Sequence, residues 1–236
     1  MSFIINTKYR SRETELMDDF SMDGELLHKT LDQIAKINRW LGGNRITLNG
    51  LEKVLRNYPK DKPLTIIDIG CGNGDMLRVV SGFLKRKGFV FNLIGVDANE
   101  NTISYAKELS KDYPEIQYLQ QDIFSKEFKN LNYDLVLATL FLHHFNEDDL
   151  IALLSEQLQK AKLGIIVNDL HRHALAYYLF KGLCLFISNP MVKQDGLISI
   201  LSGFKKEDLK RISKKLNIKI NITWRWAFRF QWIIQQ

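Results

Sequence analysis

The 236-residue chain is poor in cysteine and has no long apolar run, and each absence excludes a class of protein. Its two cysteines, Cys71 and Cys184, lack the spacing of a metal site or a disulfide framework. We therefore expect reduced thiols and a cytoplasmic location. No stretch of about 18 uncharged apolar residues is present, so we predict no membrane-spanning helix. The charged start of the chain does not match a signal peptide.

Charge is also unremarkable in its distribution. The net charge of +6 is modest, and Lys and Arg are scattered along the chain rather than collected in blocks. This balance permits an acidic partner without requiring one. Hydrophobic residues make up 45% of the chain, which is enough to form the core of one large domain, with or without a small additional cap.

The first 58 residues carry a helical pattern. Apolar residues recur at three- to four-residue spacing, and Gly42 and Gly43 supply a helix stop because glycine accepts a left-handed backbone. A second apolar stripe follows until Pro59. We predict a helical cap over residues 1–58 and a second domain over 59–236, with the cap placed to roof a ligand site.

From Leu64 onward, short apolar runs alternate with helical segments. Strands are predicted at 64–69, 91–96, 116–119, 133–139 and 163–168. Strands that alternate with helices pair in parallel through right-handed crossovers. Two further strands, at 217–223 and 227–234, are so close that they form an antiparallel hairpin. The predicted fold is α/β: a doubly wound, mostly parallel seven-stranded sheet with a C-terminal antiparallel hairpin, that is, a Rossmann-like fold.

Residues 171–203 interrupt the alternation, and we interpret them as an insertion with one or two helices over the acceptor site. The segment is rich in large apolar side chains, which either line a pocket for an apolar ligand or attach the insertion to the core. A third interpretation is contact of 174–201 with a membrane surface, because Lys181 and Lys193 flank the apolar stretch.

A glycine-rich loop follows the first predicted strand and opens a helix. It reads Asp68-Ile-Gly70-Cys71-Gly72-Asn-Gly74, and the crevice at this end of a doubly wound sheet is the expected ligand site. Position 75 is Asp where the dinucleotide fingerprint has its third glycine. The acidic groups Asp68 and Asp75 favour a ligand with positive charge over a phosphate.

Two further acids stand where the next strands end. Asp97 ends the second strand, where a carboxylate can accept hydrogen bonds from both ribose hydroxyls. Asp122 and Ile123 follow the third strand, where a polar and an apolar side chain together can hold an adenine ring. For Asp122, a helix N-cap is the alternative interpretation.

These motifs together resemble those of class I S-adenosylmethionine-dependent methyltransferases over 64–168, and the closing hairpin extends the resemblance to the C-terminus. The resemblance implies S-adenosyl-L-methionine as the cofactor, with S-adenosyl-L-homocysteine as the product. It implies that the 68–74 loop holds the methionine end, Asp97 the ribose, and Asp122 with Ile123 the adenine. Cys71, Ala98 and Thr139 complete the expected cofactor site, with 138–145 facing the sulfonium.

The fourth strand is followed by 138–145 (Ala-Thr-Leu-Phe-Leu-His-His-Phe), without the Pro-Pro-aromatic motif of many nucleic-acid and protein methyltransferases. The chain thus resembles the small-molecule branch that includes quinone-biosynthesis methyltransferases. That resemblance implies transfer to an oxygen, or alternatively a carbon, of a small aromatic or polyketide-like acceptor. An RNA methyltransferase, with the lysines of 205–215 along phosphates, and a cofactor-binding relative without activity are the alternatives. The oligomeric state is not predicted.

Histidines near the expected sulfonium are candidates for a general base, because their unperturbed pKa lies near neutrality. His143 is the first candidate, and His171 and His173 follow the fifth strand. The alternatives are a packing residue for His143 and a solvated polar turn for the other two. We predict no metal site, because an acidic cluster of ligand spacing is absent.

Overall fold

The computed structural model describes residues 5–235. In this part of the chain, all strands belong to one seven-stranded sheet. The strands are β1 (Leu64–Ile69), β2 (Phe91–Asp97), β3 (Ile116–Gln120), β4 (Leu135–Thr139), β5 (Gly164–Leu170), β6 (Ile222–Arg225) and β7 (Arg229–Ile234). The helices are α1 (Gly24–Trp40), α2 (Gly43–Val54), α3 (Asp75–Lys87), α4 (Glu100–Leu109), α5 (Lys126–Lys129), α6 (Glu147–Lys160), α7 (Ala174–Leu183), α8 (Pro190–Ser202) and α9 (Lys206–Lys215).

The order of strands across the sheet is β3-β2-β1-β4-β5-β7-β6. β1 to β5 pair in parallel, whereas β7 lies antiparallel between β5 and β6. This confirms the predicted fold. β2 and β3 lie on one side of β1, and β4 lies on its other side. The direction of strand order therefore changes between β1 and β4, and ligands of such sheets bind in the crevice at this switch point.

The closing hairpin is present as predicted, but the predicted bounds of its strands were wrong. Residues 217–221 form no strand, and the link lies at Trp226–Phe228 rather than at Trp224–Trp226. Ala227 and Phe228 both have positive φ angles, near 59° and 53°. A turn of three residues between antiparallel strands needs left-handed backbone, and here Ala227 and Phe228 adopt it in place of glycine. Because no glycine marks the turn, the sequence did not show its position.

The N-terminal region is only partly helical. α1 ends at Trp40, and Gly42 adopts the left-handed conformation, with φ 76°, as predicted for a helix stop. Residues 5–23 contain no α-helix and only a 3₁₀ turn at Leu16–Asp18 among bends and turns, so the prediction of helix throughout 1–58 was wrong there. Residues 1–4 lie outside the described part of the chain.

α2 packs into the main core rather than lying over it. Leu51 and Leu55 belong to the same buried cluster as β1, α3 and Ile166 of β5. Gly50 lies so close to Ile166 that a Cβ at this position would clash with it. A domain boundary at residue 58 stays a prediction, and α2 shares a buried cluster with the sheet.

The 171–203 insertion carries two helices, α7 and α8, which pack against each other. Asn189 caps α8 through its side-chain oxygen, and Pro190 occupies the first turn, where its missing N–H costs nothing. Within residues 5–235, no helix combines the length and the apolar character needed to cross a bilayer.

Candidate active site

A cavity of about 1100 Å³ opens at the carboxyl ends of the parallel strands. It is bounded by the glycine loop, α1, residues 15–20, the insertion helices and the β6–β7 hairpin. Ligand pockets usually have volumes of about 300–1000 Å³. The cavity is therefore large enough for a cofactor and a second ligand side by side.

The glycine loop forms the floor of one half of the cavity. Gly70, Gly72 and Gly74 all have positive φ angles, which glycine adopts without strain. A Cβ on Gly70 would clash with the Phe141 ring, whereas the nearest atom to a Cβ on Gly72 is a Leu31 methyl carbon 3.6 Å away. The main chain at Gly72 is thus open to a ligand.

Gly74 was expected to line the cofactor site, but its role in the structure is different. It does not line the cavity but forms the N-cap of α3, where its φ is 76°. A Cβ at this position would clash with the Tyr118 hydroxyl, which shares a hydrogen bond of 2.9 Å with Ser110. Gly74 therefore closes the packing behind the loop.

Asp68 lies at the end of β1 and is 2% exposed. Its Oδ1 has no hydrogen-bond partner among residues 5–235. Burial, with a smaller contribution from Asp97, raises the pKa of Asp68 to about 8. A buried carboxyl without a partner is costly, and a cation in the cavity would supply the missing partner.

Asp97 ends β2 and faces the glycine loop. Its Oδ2 accepts a hydrogen bond from Gly72 N at 3.1 Å, and its Oδ1 accepts one from Asn99 N at 3.1 Å. Burial raises its pKa, whereas these backbone donors lower it. The two N–H groups fix the carboxylate at the cavity wall and leave lone pairs for a ligand.

The remaining expected cofactor residues line the same half of the cavity. They are Cys71, Ala98, Asp122, Ile123 and Thr139. The Asp122 carboxylate accepts a hydrogen bond of 2.9 Å from Phe124 N, and the cap of α5 is Ser125. Asp122 therefore stabilises a turn at the cavity edge and is not a helix N-cap.

The charge of Asp75 does not act as the sequence suggested. Its carboxylate forms an ion pair with Arg39 of α1 and accepts a hydrogen bond of 3.1 Å from Asn44. This pairing neutralises the acid at the start of α3. Of the two acids of the loop, Asp68 alone retains an unpartnered carboxyl oxygen, and it thus carries the argument for a cationic ligand.

Residues 5–23, which we call the N-terminal strap, cross the cavity. Within the strap, Leu16 N and Met17 N donate hydrogen bonds to Asp195 of α8, at 2.8 and 3.1 Å. Near its C-terminal end, the Met22 carbonyl accepts a hydrogen bond of 3.0 Å from Asn99, just after β2. The strap thus encloses both halves of the site, and nothing in its sequence periodicity indicated this.

His143 lies on the inner side of the strap and is 4% exposed. Its Nδ1 is 2.6 Å from Asp169 Oδ1, and its Nε2 is 3.5 Å from Glu15 Oε1 on the strap. Burial alone would lower the pKa of His143, but the two carboxylates dominate and raise it to about 10. His143 is therefore a cation at neutral pH and cannot accept a proton. This geometry disfavours the base expected from the sequence.

His171 and His173 each accept a hydrogen bond at Nδ1. Trp224 Nε1 donates a hydrogen bond of 3.2 Å to His171 Nδ1, which places the proton of neutral His171 on Nε2. Burial lowers the pKa of His171 to about 4. His173 Nδ1 accepts a hydrogen bond of 3.1 Å from Leu175 N and caps α7. His171 lines the cavity as a neutral donor, whereas His173 does not line it.

The aromatic stretch of the insertion divides between the cavity and solvent. Phe180, Leu183 and Phe186 line the cavity, whereas Leu185 does not. Phe186 and Leu185 are 87% and 83% exposed and stand at the outer rim. The insertion therefore serves both as a wall of the site and as an exposed apolar rim.

Comparison with known proteins finds one family model and several proteins that part of this chain resembles. Residues 66–164 match the model of the family described as "Methyltransferase domain". The ubiquinone biosynthesis O-methyltransferase of Rickettsia canadensis is 30% identical over 132 residues, which are 55% of this chain and 52% of that protein. The chain spans about a quarter to a half of the length of the curated relatives that it matches.

Solved structures show the same fold over most of the chain. The plantazolicin methyltransferase BpumL in complex with SAH has a TM-score of 0.65 at 17% identity, with 89% of each chain covered. Magnesium protoporphyrin IX methyltransferase (ChlM) from Synechocystis PCC 6803, with bound SAM, has a TM-score of 0.55 at 14% identity, with 93% of this chain and 89% of that chain covered. At these identities, the likeness establishes the fold.

Proposed function

We propose that this chain is a class I S-adenosylmethionine-dependent methyltransferase and that it transfers a methyl group to an oxygen of a small aromatic acceptor; the family match, the distant relative and the fold support the first part. The observation that carries the proposal is the two-part cavity. One half has a bare glycine main chain with buried acids, and the other half has apolar and aromatic walls. The first half suits a polar cationic cofactor, and the second suits an apolar acceptor.

The residues present fit S-adenosylmethionine. The Asp68 carboxyl, whose Oδ1 has no partner among the described residues, would meet the positive charge of the cofactor. The open main chain at Gly72 leaves space for it. Asp97 is placed to accept from the ribose hydroxyls, and Asp122 with Ile123 lie beyond it for the adenine. When bound, the cofactor supplies an electrophilic methyl group on a sulfonium.

The protein's own part is to position the acceptor and to exclude water. Leu140, directly after β4, has a positive φ of 54°, and this turn sends the chain toward Phe141 beneath the glycine loop. The end of β4 thus separates the two halves of the cavity. The strap covers both halves of the cavity and would hold the cofactor and the acceptor close together. Holding two reactants in the right geometry raises the rate of transfer.

His171 is placed to donate a hydrogen bond from Nε2 to an anionic oxygen of the acceptor. Donation to the ionised form lowers the pKa of a phenol, which helps the acceptor to lose its proton before transfer. His143 has a positioning role in this scheme, because it joins the strap to β5 through Glu15 and Asp169. His173 contributes by starting α7.

The alternative of an RNA methyltransferase rested on the lysines of α9. The inner face of α9 carries the buried Leu209 and Ile212, and two of its cations, Arg211 and Lys215, pair with Glu147 at 2.6 and 2.8 Å. These contacts favour a solvated helix face over a phosphate track, and they support a small-molecule acceptor.

Methyl transfer is tested with S-adenosylmethionine labelled in its methyl group. We expect label in the ether or ester products of a panel of hydroxylated aromatic acids and quinols, and none in bulk RNA. Label in RNA would support the alternative instead. A protein that binds S-adenosylhomocysteine but transfers no label to any panel member would be a cofactor-binding relative without this activity.

A further inference from the structure

Arg229 is a buried cation that the proposed cofactor site does not use. It begins β7, lines the cavity beside the β6–β7 turn, and is 3% exposed. Its Nε and Nη1 atoms have no hydrogen-bond partner among residues 5–235. Buried guanidinium groups are normally paired, because an unpaired buried charge is strongly destabilising. Arg229 therefore lacks a partner that a ligand could provide.

Asp169 is the acid that acts on Arg229, but it is already committed. Its Oδ1 lies 2.6 Å from His143 Nδ1 and accepts a hydrogen bond of 2.7 Å from Leu170 N, and its Oδ2 accepts one of 3.3 Å from His143 N. Asp169 makes no ion pair within 4 Å with Arg229, and its field also acts on the half-buried Arg10.

The location of Arg229 assigns it to the acceptor half. In the sheet order, β7 is two strands from β4, which is about 10 Å, and lies on the side away from the cofactor residues of β1 to β3. Burial lowers the pKa of Arg229 to about 10, so the group remains charged at neutral pH.

Aromatic groups surround the same corner. Phe228 lies 6.2 Å from the ring of His171 in a stacked arrangement and meets Trp224 edge-on at 6.2 Å, measured between centroids. His171 and Arg229 both donate hydrogen bonds, and none of the groups named here accepts strongly. The corner is built for a flat group that carries negative charge.

We propose that Arg229 binds a carboxylate of the acceptor, so that the acceptor is an aromatic acid held by its anionic end. This inference rests on the proposed function and names the substrate class of the same site. A guanidinium binds a carboxylate through charge-assisted hydrogen bonds, which are stronger than hydrogen bonds between neutral groups. The oxygen to be methylated would then lie toward β4, while the carboxylate stays near β7.

The test compares an acid with its neutral isostere. 4-Hydroxybenzoate and 4-hydroxybenzamide are titrated calorimetrically into protein saturated with S-adenosylhomocysteine at pH 7. We expect the wild type to bind the acid about tenfold more tightly than the amide, or better, because hydrogen bonds to charged groups are lost with the amide. Arg229→Gln should bind both equally, and Arg56→Gln, which removes an exposed arginine, should retain the preference.

A second variant, Arg229→Met, keeps the length of the side chain without polar atoms and should also lose the preference, even if the glutamine variant fails to fold. Equal affinity of the wild type for acid and amide would overturn the proposal, as would no detectable binding of the acid or a preference retained by a folded Arg229 variant. Failure of S-adenosylhomocysteine itself to bind the wild type would instead contradict the proposed function.

Discussion

The raised pKa of Asp68 makes cofactor binding depend on pH. With a pKa of about 8, the carboxyl is protonated in the ligand-free protein at neutral pH. A ligand with positive charge binds the ionised form, so its binding should release a proton from Asp68. The positive charge of the ligand would lie against the unpartnered Oδ1 of Asp68.

The magnitude follows from the ionised fraction, which for a pKa of about 8 is about 1% at pH 6 and about 50% at pH 8. Apparent affinity scales with the fraction in the binding-competent state. We therefore expect the association constant for S-adenosylmethionine to rise by about 50-fold over this range. Asp68→Asn keeps the shape of the side chain, cannot ionise, and should remove this dependence.

Isothermal titration at pH 6, 7 and 8 measures the affinities, and a pair of buffers with different ionisation enthalpies reports the proton released. The amino group of the cofactor titrates equally with both proteins, so the difference between wild type and variant isolates Asp68. An equal slope in the two proteins, or a flat wild-type profile, would refute the assignment of Asp68 as the group that meets the positive charge.

Two other predictions concern the strap and the rim. Removing the cation of the buried ion pair in His143→Gln leaves two carboxylates facing each other, so the free energy of unfolding in denaturant should fall by about 3–5 kcal/mol at pH 7. Because the pKa of His143 is raised from 6.5 to about 10, this contribution is fully present below about pH 6.5 and is lost as the pH rises through about 10. The gap between wild type and variant should therefore close at high pH, and a gap that stays constant from pH 7 to 10 would contradict the ion-pair assignment. At the rim, replacing the exposed Leu185 and Phe186 by serine should reduce co-sedimentation with anionic phospholipid vesicles, whereas equal sedimentation of both proteins would argue against contact of 174–201 with a membrane surface.

The sheet and the glycine loop could be predicted because their signals are local. β1 was predicted at its observed bounds, since an apolar run ends at an acid followed by alternating glycines. The helix that the glycine loop was predicted to open is α3, which begins at Asp75 directly after Gly74. Each of these features is determined by a few adjacent residues, which the sequence displays directly.

The acceptor half could not be predicted in the same way, because its geometry depends on contacts between distant residues. The strap has no periodicity, and its path is set by Asp195 and His143, which lie far along the chain. The pKa of His143 depends on Glu15 and Asp169 together, so residue type alone suggested a base where the fold forms an ion pair. Arg229 was not recognised as a site residue, because β7 is buried along its whole length and its pairing with β5 joins residues far apart in the chain.

Binding of S-adenosylhomocysteine, measured by calorimetry at pH 7, tests the central claim most directly. The account predicts binding at a single site by the wild type and a loss of about tenfold or more in Asp97→Ala, because hydrogen bonds to a charged acceptor are removed. The measurement requires circular dichroism to show that the variant is folded. No binding by the wild type, or an unchanged affinity in folded Asp97→Ala, would contradict the account.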